Sequence, residues 1–79
     1  MEYDKDKVDD AALALLSLTM FKAHGVVRAW KGMDWDVLDR LYQKGYIDDP
    51  KGKAKSVVMS EEGERRAAEL FDQLFGTGA

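Results

Sequence analysis

Several features are missing from this 79-residue chain, and each absence excludes a class of protein. There is no cysteine, which excludes a disulfide framework, a cysteine-based zinc site and a thiol nucleophile. The single histidine, His24, has no second histidine or cysteine with which to bind a metal. The longest apolar run, residues 11–21, contains Ser17 and Thr19 and falls well short of the roughly 20 residues of a membrane span. We therefore expect no metal, no cofactor and no membrane segment.

The residues that are present indicate a small globular domain. Apolar residues make up 46% of the chain, which argues against disorder. Neither a repeat nor a linker interrupts the sequence, so we expect a single domain over residues 1–79, with a frayed tail at 76–79. The first residues are acidic and polar and lack the basic start of a secretion signal, and a cytoplasmic location is the expectation.

The charge is unevenly distributed. The net charge is −3, and residues 1–10 and 60–79 each contain five acidic and two basic residues. Between them, residues 50–59 contain three lysines and no acid. One basic segment thus lies between two acidic ends and could attract an anion locally.

Three helices are predicted from the apolar spacing and the capping residues. The first covers about residues 4–23 and is apolar on nearly all sides, which makes it a candidate dimerisation element. The second begins at the N-cap Asp34 and ends at Gly45. The third begins at the N-cap Ser60 and ends at Gly76.

Three short strands are predicted between these helices. Residues 26–30 are β-branched and aromatic, and residues 46–48 and 56–59 flank a turn that contains Pro50 and Gly52. We expect residues 46–48 and 56–59 to form an antiparallel hairpin. The side chains expected in the core are Leu15, Leu16, Trp35, Leu38, Leu41, Ile47, Val58, Leu70 and Phe71.

Two short motifs resemble the second half of winged-helix domains of the MarR or PadR kind. The first contains Leu38, Leu41, Gly45, Tyr46 and Ile47, and the second contains Met59, Ser60 and Gly63. Over its full length the chain also resembles a small bacterial family of uncharacterised domains. The resemblance implies an α+β fold, namely a small winged-helix-like domain with three helices, a short three-stranded antiparallel sheet and a β-hairpin wing. It also implies that residues 27–30 pair with one strand of this hairpin.

The chain departs from the winged-helix pattern where DNA would be read. A helix-turn-helix needs a further helix before the recognition helix, yet only a turn fits between Trp30 and Asp34. The would-be recognition helix also carries Asp36 and Asp39, whose charges repel phosphate. Both features weigh against DNA recognition by this helix.

Lys51, Lys53 and Lys55 are the candidate nucleic-acid or anion contacts. On an extended wing these alternating side chains would point to one side and could touch phosphates. The alternative interpretation is a solvated hairpin whose lysines prevent edge-to-edge pairing of strands.

The candidate interface combines the first helix with one tryptophan. Its residues are Leu13, Leu16, Met20, Phe21 and Trp30. Trp30 lies on a short strand that could be a sheet edge, whereas Trp35 shares the apolar stripe of the second helix and is expected in the core.

These observations predict a small non-enzymatic interaction domain that forms a homodimer through its first helix, with a further protein partner possible. No catalytic residue is predicted, because Ser56 and Ser60 have no companion base. The alternative function is a DNA-binding transcriptional regulator that contacts phosphates through the basic wing.

Overall fold

The chain folds into three helices and a three-stranded antiparallel sheet, as seen in a computed structural model that describes residues 2–78. Residues 76–78 follow the last helix without regular structure, and Ala79 of the predicted frayed tail lies outside the described residues. In chain order the elements are α1 (Lys5–Leu16), a short 3₁₀ turn (Ser17–Thr19), β1 (Phe21–Ala23), β2 (Val26–Trp30), α2 (Trp35–Gln43), β3 (Ser56–Val58) and α3 (Glu61–Phe75).

The sheet has the order β1-β2-β3, with both pairs antiparallel. β1 and β2 form a tight hairpin through His24 and Gly25, whose φ angles are 52° and 81°. Two consecutive positive φ values define the type I′ turn, whose twist matches that of the flanking strands. β2 then pairs with β3, with Ala29 opposite Val57. The predicted pairing of β2 with a strand at 56–59 is confirmed.

The first helix ends earlier than predicted. Continuation of α1 to Ala23 is wrong, because α1 stops at Leu16 and residues 21–23 are a strand. The Thr19 hydroxyl donates to the Leu16 carbonyl at 3.0 Å, a local hydrogen bond that competes with helix continuation. His24-Gly25, interpreted from the sequence as a helix stop, is the turn of the hairpin.

The other helix boundaries agree with the capping signals. Asp34 accepts from the backbone N–H of Asp36, and Ser60 accepts from that of Gly63. Gly45 has a φ of 83°, and the N–H of Tyr46 bonds the Leu41 carbonyl at 3.1 Å. This is the Schellman geometry that glycine permits after the end of a helix.

The predicted strand at 46–48 is wrong, and β1 takes its place in the sheet. Ile47 forms a single bridge to Met59, and the Asp48 N–H donates to the Val58 carbonyl. Pro50 then lies buried in a turn that ends the pairing. The α+β class with three helices and a three-stranded antiparallel sheet is confirmed, with residues 21–23 as its third strand.

The core lies between the helices and one face of the sheet. The prediction is confirmed for Leu16, Leu38, Leu41, Ile47 and Leu70, whereas Val58 and Phe71 are half-buried. Leu15 and Trp35 were expected in the core, and this is wrong because both are exposed. The buried apolar residues are Ala12, Leu13, Ala14, Leu16, Ala29, Val37, Leu38, Leu41, Ile47, Val57, Met59, Ala67 and Leu70.

Candidate functional site

The sheet has one face that packs on the core and one that does not. Side chains alternate between the faces of a strand, and Ala29 and Val57 are fully buried on the inner side. The other face is half-buried to exposed, and none of the core contacts within residues 2–78 involves its apolar side chains. We call this surface the outer sheet face; its residues are Phe21, Ala23, Val26, Arg28, Trp30, Ser56 and Val58.

An aromatic pair forms one end of the outer sheet face. Phe21 lies opposite Arg28, which places it diagonal to Trp30 on the same face. The two ring centroids are 5.4 Å apart with an interplanar angle of 33°. The Trp30 backbone N–H donates to the Thr19 hydroxyl at 3.1 Å, which fixes this end of β2. The indole nevertheless stays 52% exposed, so a large rigid side chain is offered to solvent.

Arg28 lies in the middle of the same face and is held across the neighbouring strand. Its Nε donates to the Ser56 hydroxyl at 2.7 Å, and its Nη2 donates to the Ser56 carbonyl at 2.9 Å. Two bonds to one residue restrict the orientation of the guanidinium. A guanidinium held in this way can stack against an aromatic ring.

The apolar surface continues from Trp30 towards the end of α1. A shallow groove of about 120 Å³ lies there and is lined by Leu15, Leu16, Thr19, Trp30, Gly32 and Met33. Leu15 is exposed on one wall. The outer sheet face therefore extends into a second apolar patch instead of ending at a polar rim.

The predicted interface residues are not brought together as a group. Leu13 is 0% exposed and Leu16 is also buried, so both serve the core of this chain and offer almost no surface to another. Met20 is half-buried and packs against the core. Phe21 and Trp30 are the two that lie side by side on the surface.

The basic segment is a loop and not an extended wing. Lys51, Lys53 and Lys55 are all exposed, but residues 50–55 form turns and bends. In turns and bends, alternate side chains need not point to one side as they do on an extended strand. Lys31 holds the loop in place, because its Nζ donates hydrogen bonds to the carbonyls of Pro50 and Gly52, each at 2.7 Å.

An ion cluster around the buried Asp9 joins α1 to α2 and to its C-cap residue Lys44. Asp9 is 1% exposed; its Oδ1 lies 2.8 Å from Nη2 of Arg40, and its Oδ2 lies 3.0 Å from Nζ of Lys44. Lys44 also reaches Asp6 at 3.1 Å. Burial raises the pKa of Asp9, but the hydrogen bonds and charges of Arg40 and Lys44 outweigh it, so the pKa lies below its ordinary value. The cluster neutralises the two cations of α2.

Residues 2–78 contain neither a metal-binding cluster nor a membrane-spanning helix. This part of the chain contains no group of three or more histidine, cysteine, aspartate or glutamate residues that could hold a metal ion. None of its helices has the length and apolar character needed to cross a membrane.

Sequence comparison identifies the family. The family model described as "Domain of unknown function (DUF6429)" matches residues 4–77. The chain belongs to the DUF6429 family. A relative from Sinorhizobium fredii (strain NBRC 101917 / NGR234), "Uncharacterized protein y4hR", is 55% identical over 75 residues, covering 95% of this chain and 97% of the relative. No solved structure matches the DUF6429 domain significantly.

The ion cluster of this DUF6429 domain was missed from the sequence, although a signal exists. Asp6 and Asp9 are three residues apart on α1, and Arg40 and Lys44 are four apart on α2, so each pair lies on one helix face. Two opposite-charge pairs at helical spacing indicate that the two faces meet. No comparable pattern in the sequence predicts that Trp35 is exposed. In the structure Trp35 is 61% exposed, and the Nζ atom of Lys31 lies 5.6 Å from its ring centroid.

Proposed function

We propose that this DUF6429 domain is a non-enzymatic interaction domain that forms a homodimer through its outer sheet face. The observation that carries the proposal is the aromatic pair of Phe21 and Trp30, whose side chains are not among those that pack on the core. Tryptophan is enriched at interfaces because it buries a large apolar area at a small entropic cost. In a domain of 79 residues, such a side chain is costly to leave in water.

The size of the surface also supports association. The accessible area is 5493 Å², whereas the scaling for monomeric proteins gives roughly 4,800 Å² for a chain of 8.9 kDa. The difference, about 700 Å², is close to the roughly 800 Å² that each partner contributes to a standard interface. Residues 2–4 and 76–78 are exposed and supply part of the difference, and the outer sheet face supplies another part.

The interface proposed here differs from the one predicted on the first helix. Because Leu13 and Leu16 are buried in the core, α1 has no complete apolar face left for a partner. Phe21 and Trp30 remain proposed interface residues, and Leu15 lies at the edge of the same apolar surface. A possible further protein partner and the expected cytoplasmic location remain predictions.

Binding is proposed in preference to catalysis because of how the ionisable groups are used. One cluster of ionisable groups contains Asp6, Asp9, Arg40 and Lys44. These groups form ion pairs with one another. Mutual pairing between two helices is the arrangement of a structural contact. A catalytic group instead needs a substrate within reach.

DNA binding through the basic loop is the alternative, and it is less well supported. Lys51, Lys53 and Lys55 are exposed and could touch phosphates. Against this, the residues between Trp30 and Trp35 form no helix that could precede a recognition helix. The cations Arg40 and Lys44 on α2 are already paired with Asp9. Similarity to the winged-helix fold therefore remains a hypothesis, and it does not include a helix suited to reading DNA.

The two exposed tryptophans provide a matched test of the homodimer. Sedimentation velocity at several concentrations should show a dimer for the wild type. Trp30→Gln should be monomeric at concentrations where the wild type is dimeric, because the indole at the interface is lost. Trp35→Gln, which removes a tryptophan of similar exposure on α2, should dimerise like the wild type. A wild type that stays monomeric at the highest soluble concentration would refute the proposal.

A further inference from the structure

We infer that the outer sheet faces of two copies pack with Arg28 of each chain stacked on Trp30 of the other. The inference rests on the proposed homodimer and deepens it by naming the reciprocal contact. Both side chains lie on the same face of β2, two residues apart, which is roughly 6–7 Å along a strand. A surface that carries a cation and an aromatic ring side by side can be complementary to itself.

The charge of Arg28 restricts where the two-fold axis can cross the sheet. An axis above Arg28 would bring two guanidinium groups together, and like charges directly opposite are destabilising. An axis above Trp30 would place Arg28 opposite residue 32 of the other chain, beyond the end of β2, so the guanidinium would meet no aromatic ring. An axis above Ala29 avoids both problems, because it places residue 28 of one chain opposite residue 30 of the other.

The conformation of Arg28 suits this contact. Its bonds to the Ser56 hydroxyl and carbonyl, at 2.7 and 2.9 Å, hold the guanidinium across β3 before any partner arrives. A flat, preordered guanidinium presents its face to an incoming indole and loses little entropy on binding. The Trp30 ring is likewise supported on one side by Phe21. Both halves of the contact are therefore positioned within a single chain.

Heterodimer formation between two variants distinguishes a reciprocal contact from a symmetric one. Arg28→Ala and Trp30→Ala homodimers each lose both Arg28–Trp30 contacts, so each dissociation constant should rise at least tenfold, about 1.4 kcal/mol or more. A heterodimer of the two variants keeps one intact contact, between Arg28 of one chain and Trp30 of the other. In an equimolar mixture, native mass spectrometry should therefore show heterodimers above the roughly one half of random pairing.

Controls separate folding from association. Circular dichroism should show that each variant is folded, and Arg28→Lys replaces Arg28→Ala if the loss of both Ser56 bonds unfolds the chain. Lysine keeps the charge and the stem without the planar group, so its mixture with Trp30→Ala should still favour heterodimers, by a smaller excess. A mixture of Arg65→Ala and Trp35→Ala removes an exposed arginine and an exposed tryptophan elsewhere and should pair at random.

The outcomes also separate this inference from the proposed function. Excess heterodimer in the Arg28 and Trp30 mixture supports the reciprocal contact. A wild-type dimer whose variants pair at random, or whose affinity is unchanged by Arg28→Ala, overturns the contact and leaves the homodimer standing. A monomeric wild type overturns both.

Discussion

The two faces of the sheet are built from similar residues and are used differently. On the inner face, Ala29 and Val57 are closed in by the helices. On the outer face, Val26, Val58 and Trp30 are equally apolar, yet they are not among the side chains packed on the core. A sheet covered on one side usually alternates apolar with polar residues, whereas apolar residues on both sides are typical of sheets covered twice. The outer sheet face also carries Arg28 and Ser56, and its exposed apolar side chains are the reason for proposing a partner there.

The comparison predicts that stability comes from the inner side. Leu38→Ala should lower the free energy of unfolding by about 3–5 kcal/mol, because Leu38 is fully buried in the core. Val26→Ala on the outer sheet face should cost less than about 1 kcal/mol in the monomer. Chemical denaturation at low protein concentration measures both values. If both substitutions lowered the free energy of unfolding equally, the outer sheet face would contribute to the stability of the monomer as much as the core does.

Gly63 tests how tightly the core side is packed, because it lies where α3 contacts the segment after α2. A Cβ atom at this position would lie 2.0 Å from the Tyr46 carbonyl oxygen, so α3 must shift away. Gly63→Ala should cost about 2–3 kcal/mol, although alanine is the better helix former. Gly52→Ala, where a Cβ atom meets nothing within 4 Å, is the control and should stay within about 0.5 kcal/mol of the wild type. A thermal melt without a shift for Gly63→Ala would contradict the close packing.

The ion cluster adds stability that depends on pH. Because the pKa of Asp9 is lowered in the folded state, its contribution is complete above the ordinary value of 3.8 and is lost as the pH falls through the folded pKa. Asp9→Asn should cost about 2 kcal/mol at pH 7, because a buried carboxylate that pairs two cations is removed.

Unfolding curves at several pH values check this assignment. The difference between Asp9→Asn and the wild type should shrink steadily below pH 3.8. Leu38→Ala, which changes no titratable group, should differ from the wild type by a constant amount over the same pH range. A constant difference across the range would mean that the charge of Asp9 is not what stabilises the contact.

The smallest effect on stability is expected for the basic loop. Replacing Lys51, Lys53 and Lys55 with Gln should change the free energy of unfolding by less than about 0.5 kcal/mol, because all three are exposed. The same triple variant tests DNA binding. If the wild type binds duplex DNA, three phosphate contacts predict a slope of about −3 in log K against log salt, and the variant should lose most of the binding for every sequence. If the wild type binds no duplex DNA at low salt, the alternative function of DNA binding is refuted.

Local signals in the sequence determined the parts of the fold that depend on neighbouring residues. Asp34, Gly45 and Ser60 set helix ends through hydrogen bonds and φ angles that span a few residues, and all three behave as predicted. The strand at Val26–Trp30 follows from β-branched and aromatic content, whereas its pairing with residues 56–58 was expected from the resemblance to winged-helix domains. In these places the local preference and the tertiary structure agree.

The tertiary structure alone decided which apolar residues are covered. Residues 21–23 suit a helix or a strand, and pairing with β2 decides for the strand. Trp35 was expected in the core and Trp30 at a possible sheet edge, but burial depends on what packs around a side chain, and both are exposed. Arg28 meets Ser56 across 28 residues, and Arg40 meets Asp9 across 31. Contacts of that range arise only when the helices and strands have packed together, because periodicity specifies a face and not its partner.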